Sequence, residues 1–145
     1  MDKIEFKVEN IKANGFQYKS VRIFVNDIDI IDLLKELELT FTGSKDIAGS
    51  YEGLSPDTLY KHLTNPDKYD IDENGKVAIL DCKCGGLGCW PMKIKISYFD
   101  NQVIWKEFEQ PHRSSRSNNF WNYSKFGPFT FDQIEYSQQL EKLKG

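Results

Sequence analysis

Three cysteines fall within one short run, Asp81-Cys82-Lys83-Cys84-Gly85-Gly86-Leu87-Gly88-Cys89-Trp90-Pro91. Their C-x-C-x4-C spacing suits zinc, which takes four soft or borderline donors in a tetrahedron at about 2.0–2.3 Å. Cys82, Cys84 and Cys89 would fill three corners. Gly85, Gly86 and Gly88 let the backbone fold back within so small a radius. An odd number of cysteines also suits ligation better than a disulfide framework. His112 is a candidate fourth ligand by simple geometry. If Asp100-Asn101 is a two-residue hairpin turn, counting outward from it sets residue 89 opposite residue 112. Pro91 and Pro111 interrupt the ladder at that end and could let the register slip. The same counting sets Lys95 opposite Lys106, a mildly unfavourable pair. Asp81 is a second candidate for the fourth corner.

The same residues admit other chemistry. Free cysteine is among the most buried residue types, so the three could be inert thiols on a turn. A redox role needs an exposed, low-pKa thiolate beside a positive charge, which Lys83 could supply, but there is no C-x-x-C pair. A nucleophilic Cys89 with His112 as its base is the enzymatic alternative. His62 falls near the end of an expected helix, where a cation suits the dipole.

Two further constellations carry candidate sites. Asp70-Ile71-Asp72-Glu73-Asn74-Gly75 resembles the start of a calcium loop, with Asp81 at the twelfth position. Asn74-Gly75 equally signals a plain hairpin turn, and Val77 to Leu80 is strand-like where a calcium loop would lead into a helix. The segment from Pro111 to Phe126 carries Arg113, Arg116 and Lys125, no acids, and the rings of Phe120, Trp121, Tyr123 and Phe126. Arg113, Arg116, Trp121 and Tyr123 are its candidate binding residues. Bases interleaved with rings can clamp a nucleic-acid backbone, form a protein-binding hot spot, or simply tuck their rings into the core. No nucleophile elbow, phosphate loop or zinc-protease helix motif occurs.

Composition narrows the classes. The chain has 145 residues, 39% hydrophobic and 28% charged, which points to one folded domain over 1–145. Its aromatic share of 14% fits a β-rich core or a ring-bearing contact surface. A net charge of −3 argues against a whole-domain grip on nucleic acid or an anionic membrane. No apolar run reaches the length of a membrane span. Met1 to Phe6 alternates and carries acids, unlike a signal peptide. The expected compartment is therefore reducing and cytoplasmic, where thiols stay free or bind metal.

The elements that must position these groups follow from periodicity and turn residues. Ile4, Phe6 and Val8 mark a half-buried strand. Asn14-Gly15 turns it into Phe16 to Val25, and Asn26-Asp27 turns the chain again. Asp29 caps a helix over Ile30 to Glu38. Thr40 to Leu54 reads as a glycine-punctuated loop. Ser55-Pro56-Asp57 opens a helix that must end before Asn65-Pro66. Val77 to Leu80 is a short strand leading into the cysteines. Lys93 to Phe99 and Gln102 to Phe108 form the clearest hairpin. Phe129 to Phe131 is a brief strand, and Asp132 with Glu135 opens a terminal helix bearing Tyr136, Leu140 and Leu143 on one side. The expected fold is α+β: a mainly antiparallel, twisted sheet with two or three helices, the last at the C-terminus.

The Cys82 to Cys89 string resembles the small zinc motif that follows the catalytic region of SET-domain lysine methyltransferases. There, three cysteines bind zinc and a fourth ligand comes from elsewhere. The likeness covers only these eight residues, and no Asn-His-Ser-type cofactor motif occurs. It implies metal binding and gives no support to methyl transfer. Strings across the chain, including Val25 to Asp29, Gly49 to Leu54, Cys82 to Pro91, Phe108 to Arg113 and Phe126 to Asp132, also resemble a group of uncharacterised short bacterial proteins. That likeness implies a bacterial origin and brings no activity.

These readings converge on a non-enzymatic module that binds another protein, with structural zinc in the cysteine loop. The alternative is a small thiol- or zinc-dependent enzyme centred on Cys89 and His112. The zinc expectation is checked by elemental analysis of protein purified without added metal. About one zinc per chain should be found, with thiols reactive only after chelation. Absent metal with three readily reactive thiols would refute it.

Overall fold

The structure, a computed structural model, describes residues 1–83 and 89–144. It is an α+β fold with two antiparallel sheets and three helices. The first sheet has the order β1-β2-β3, with β1 Ile4–Ala13, β2 Phe16–Val25 and β3 Ile28–Asp29. The second runs in order through β4 Tyr51–Gly53, β5 Lys76–Cys82, β6 Met92–Phe99, β7 Gln102–Glu109 and β8 Phe129–Asp132. The helices are α1 Ile30–Thr42, α2 Pro56–Thr64 and α3 Gln133–Glu141. Among the described residues, three two-residue turns have both residues at positive φ: Asn14-Gly15 (50° and 80°), Asn26-Asp27 (53° and 68°) and Asp100-Asn101 (50° and 59°). That geometry matches the twist of paired strands, and Asn, Asp and Gly tolerate it.

The sheets touch at both margins. On one side the Val21 amide donates to the Leu54 carbonyl at 2.9 Å and Ser20 Oγ donates to the Gly53 carbonyl at 3.1 Å. On the other, Asp2 makes a parallel bridge to Phe131, and its amide donates to the Thr130 carbonyl at 2.8 Å. The strands therefore wrap one core. Ile23, Ile94, Trp105 and Phe131 from the sheets meet Ile30 and Leu34 of α1, Leu59 of α2 and Tyr136 of α3. Tyr136 sits among Phe6, Trp105 and Phe131, and its hydroxyl accepts from Trp105 Nε1 at 3.2 Å.

The helix ends behave as their residues dictate. Asp29 Oδ1 accepts from the Ile31 amide at 2.9 Å, and Ser55 Oγ accepts from the Thr58 amide at 3.3 Å. Asp132 Oδ2 accepts from both Ile134 and Glu135 at 3.1 Å. Two departures from the sequence reading stand out. Helix α1 runs on to Thr42, ending where Gly43 adopts a left-handed φ of 69° and closes its amide on Leu39. Tyr51 to Gly53 is a strand rather than loop, because β5 pairs with it from thirty residues downstream.

The most consequential local feature is a bulge. Lys95 pairs with Lys106, as counting from the turn requires, yet Lys93 pairs with Glu109. The extra residue on β7 falls beside Glu107, whose φ is 53°. Continued past the bulge, the register brings Trp90 rather than Cys89 opposite His112.

The seam between β2 and β4 depends on a bare α-carbon. A Cβ at Gly53 would stand 2.1 Å from the Val21 carbonyl oxygen and 2.7 Å from Ser20 Oγ. Gly53→Ala should lower the unfolding free energy by about 1–3 kcal/mol, because backbone cannot yield as a side chain can. Urea denaturation checks this; an unchanged midpoint would mean that the seam is not structurally required.

A candidate docking site built on a buried glutamate

The two glycine- and ring-bearing loops of the sequence reading come together over the last turns of α1. The link is Glu38, whose side chain is fully buried. Its Oε2 accepts from the Tyr51 hydroxyl at 2.6 Å and from the Tyr123 hydroxyl at 2.5 Å. Its Oε1 accepts from the Gly49 amide at 2.9 Å. Tyr51 also receives a hydrogen bond from Gln110 Nε2 at 3.2 Å. Burial is the main influence on Glu38 and holds its carboxyl above the usual carboxylate range, while the three donated hydrogen bonds pull the other way. Burial and the nearby carboxylate also push both phenols above their usual range.

Outside this anchor lies a layered stack. The Arg113 guanidinium sits 4.9 Å from the Trp90 ring centre and 5.4 Å from that of Trp121. His112 lies parallel to Trp90, with centroids 5.8 Å apart and an interplanar angle of 5°. Trp121 in turn stacks on Phe41 at 5.9 Å. Cation–π contacts of this kind contribute on the order of 0.5–2 kcal/mol, enough to hold a long side chain in one place. Trp90 is held by stacking; its buried Nε1 has no hydrogen-bond partner among the described residues. An open groove of about 630 Å³ runs beside the stack, and Phe41, Ile47, Arg113, Asn118, Phe120 and Trp121 contribute to its walls.

The predicted site residues are distributed as follows. Arg113 lines the groove. Arg116 is exposed and lines a different hollow with Lys93 and Glu109. Trp121 and Tyr123 are buried, at 6% and 5% exposure, so their rings fasten the loop rather than face a partner. Cys82 is half-buried at the end of β5, opposite Tyr51, and Cys89 is exposed. Cys84, the middle thiol of the expected zinc site, lies outside the described residues. Among the described residues, no three His, Cys, Asp or Glu side chains converge as a metal site. The carboxylates of the calcium-like segment are engaged locally: Asp70 with Lys61 at 3.1 Å, and Asp72 Oδ1 with the Asn74 and Lys76 amides at 2.9 Å. His62 is half-buried, with Nδ1 2.7 Å from the Ala78 carbonyl and Nε2 3.5 Å from Asp70. Sequence reasoning missed Phe41, Ile47 and Trp90. Phe41 continues the apolar side of α1 from Leu34 and Leu37, a signal lost when the helix was ended at Glu38.

Comparison with protein-family models, curated proteins and solved structures finds no match to this chain. Fold and site define an α+β protein with an aromatic, cationic groove fastened to a buried carboxylate.

The anchor makes a pH prediction. The folded state holds a proton on Glu38 more tightly than the unfolded chain does. Its contribution is therefore fully present below the unfolded value and is lost as pH rises through the folded one. The unfolding free energy of the wild type relative to Glu38→Gln should fall as pH climbs above the ordinary value of 4.5. Parallel stability–pH curves for the two proteins would refute the assignment.

Proposed function

We propose that this protein is a non-enzymatic docking module whose groove beside Arg113 captures an acidic, apolar segment of another protein. The observation that carries this reading is the company kept by Phe41, Ile47 and Phe120. These large side chains are 37%, 41% and 51% exposed and gather around one groove. Exposed apolar clusters rimmed by polar groups are typical of protein interaction sites. Thr40, Asn118 and Asn119 supply such a rim.

Charge gives the partner its character. Among the described residues the groove's walls hold Arg113 and no acidic residue. Arg113 packs against two indole rings that touch each other, so less side-chain entropy remains to be lost on pairing with a carboxylate. Arginine in a preset orientation is a common interface anchor. The cysteine loop leads directly into Trp90, so a structural zinc on Cys82, Cys84 and Cys89 would fix the ring on which Arg113 rests. The β7 bulge sets His112 in register with Trp90, which removes the register argument both for a Cys89–His112 catalytic pair and for His112 as the fourth zinc ligand.

Selection of a random displayed-peptide library on the intact protein tests the proposal. Peptides with Asp or Glu beside Leu, Ile or Phe should be enriched. Phe120→Asp and Arg113→Glu should each weaken them roughly tenfold or more, the usual scale of an anchor residue. Enrichment indifferent to both substitutions would sink the reading, as would selection of no acidic class.

A further inference from the structure

Alternation along β4 sends neighbouring side chains to opposite faces. Tyr51 turns inward to Glu38, so Glu52 stands on the other face. A cleft of about 620 Å³ opens there, between the β1–β2 hairpin, the segment that leads into α2 and the residues after α3. Val8 and Tyr18 of the hairpin, with the buried Leu54 and Leu143, give it apolar walls. Its size lies within the range of small-molecule sites, roughly 300–1,000 Å³.

Its charges are layered. Glu52 pairs directly across the strands with Asp81, and both line the cleft. Side chains so opposed have β-carbons about 5 Å apart, and like charges placed there repel. Asp81 is buried and accepts from the Cys82 amide at 2.8 Å. Glu52 is half-buried, and among the described residues it has no ion pair. Burial, with the Asp81 charge second, holds its carboxyl above the usual carboxylate range. The lysines of the cleft, Lys19, Lys142 and Lys144, are all exposed, and Lys144 is 3.2 Å from Glu141. Asp57, in the first turn of α2, is exposed as well. Negative charge therefore lies inside the cleft, and positive charge predominates at its mouth.

We infer that this cleft is a binding site for an organic ammonium ion that carries an apolar body. The ammonium group sits against Glu52 and Asp81, where it neutralises two carboxylates that otherwise repel. The apolar body covers Val8, Tyr18 and Leu54. The lysines at the mouth repel a second positive charge, so the ligand class is monoamines rather than polyamines. The same lysines accommodate a carboxylate at the far end of the ligand. A free amine and the amino terminus of a short peptide share this chemistry. The site lies on the opposite face of β4 from the Glu38 anchor and does not depend on the proposed groove.

Titration of the intact, isotope-labelled protein with phenethylamine, followed by nuclear magnetic resonance, tests the inference. Amides of residues 52–58, Val8 and Lys19 should shift, with saturation in the range of about 0.1–10 mM. Phenethyl alcohol keeps the ring and loses the charge, and should bind roughly tenfold more weakly. Putrescine, with two charges and little apolar body, should also bind more weakly. Glu52→Gln should weaken the amine roughly tenfold, the scale of a hydrogen bond to a charged group, and leave the alcohol unchanged. That variant should melt no lower than the wild type, because it relieves the repulsion with Asp81. Tyr18→Ala should weaken both ligands, and Phe120→Asp should change neither. Two peptides, Phe-Ala-Ala and its acetylated form, identify the source. Tighter binding of the free peptide than of phenethylamine, lost on acetylation, makes the ligand a peptide terminus; the reverse order makes it a free amine. The inference is overturned if the amine shifts no cleft amide at about 10 mM. It is also overturned if the alcohol binds as well as the amine, or if Glu52→Gln leaves amine binding unchanged.

Discussion

A carboxylate with no exposure to water is the constraint around which one side of this molecule is organised. Removing Glu38 from solvent costs several kcal/mol unless its oxygens are bonded. The chain meets that cost with two phenol hydroxyls and one amide, drawn from two separate segments. Gly49 and Tyr51 lie just after α1, and Tyr123 lies more than eighty residues from Glu38. Each donor is thereby fixed in position, and so is the loop that carries it. Gly49 sharpens the requirement: its φ is 70°, and a Cβ there would meet Lys35 at 2.7 Å. The loop can lie against α1 only with glycine at this point.

The rings divide into layers with different work. Phe6, Trp105, Phe131 and Tyr136 fill the space where the strands meet α3. Phe108, Phe126 and Phe129 pack edge to face beneath the second half of the long loop, with centroids 4.8–5.7 Å apart. In the third group Trp121 and Tyr123 are buried, Trp90 is half-buried and Phe41 is exposed, with Arg113 against Trp90 and Trp121 and His112 stacked on Trp90. The groove is the open margin of this third layer. Its rigidity comes from Glu38 below and from the ring stack beside it, so a partner would meet a preformed surface.

Much of the scaffold was legible in the sequence because it rests on local chemistry. Asn14-Gly15, Asn26-Asp27 and Asp100-Asn101 turn where residues tolerant of positive φ stand. Asp29, Ser55 and Asp132 cap the helices they precede, because a short side-chain oxygen reaches the first free amides. The alternation of Ile4 and Phe6 marked a strand and its inward face. The α+β class with a terminal helix followed from these. The candidate site was legible only in part: Arg113, Trp121 and Tyr123 were all placed on the loop that borders the groove, but Arg113 lines it while the other two rings face inward.

What tertiary structure alone decided concerns pairs of residues distant in the chain. Helical spacing sets Glu38 on the same side of α1 as Ile30 and Leu34, unlike Asp32 and Glu36, but the partners that bond its carboxylate come from two loops that close over it only in the fold. The strand at Tyr51 exists because β5 supplies a partner. Glu107 takes a positive φ that its side chain does not favour, and the single extra residue there moves His112 from Cys89 to Trp90. The sequence by itself determined where the chain turns, where helices begin and which faces are apolar, because those are set by the nearest few residues. The meeting of Glu38 with Tyr51 and Tyr123, and the groove it holds open, was decided only in the folded state, where burial makes an unpaired carboxylate too costly to leave alone.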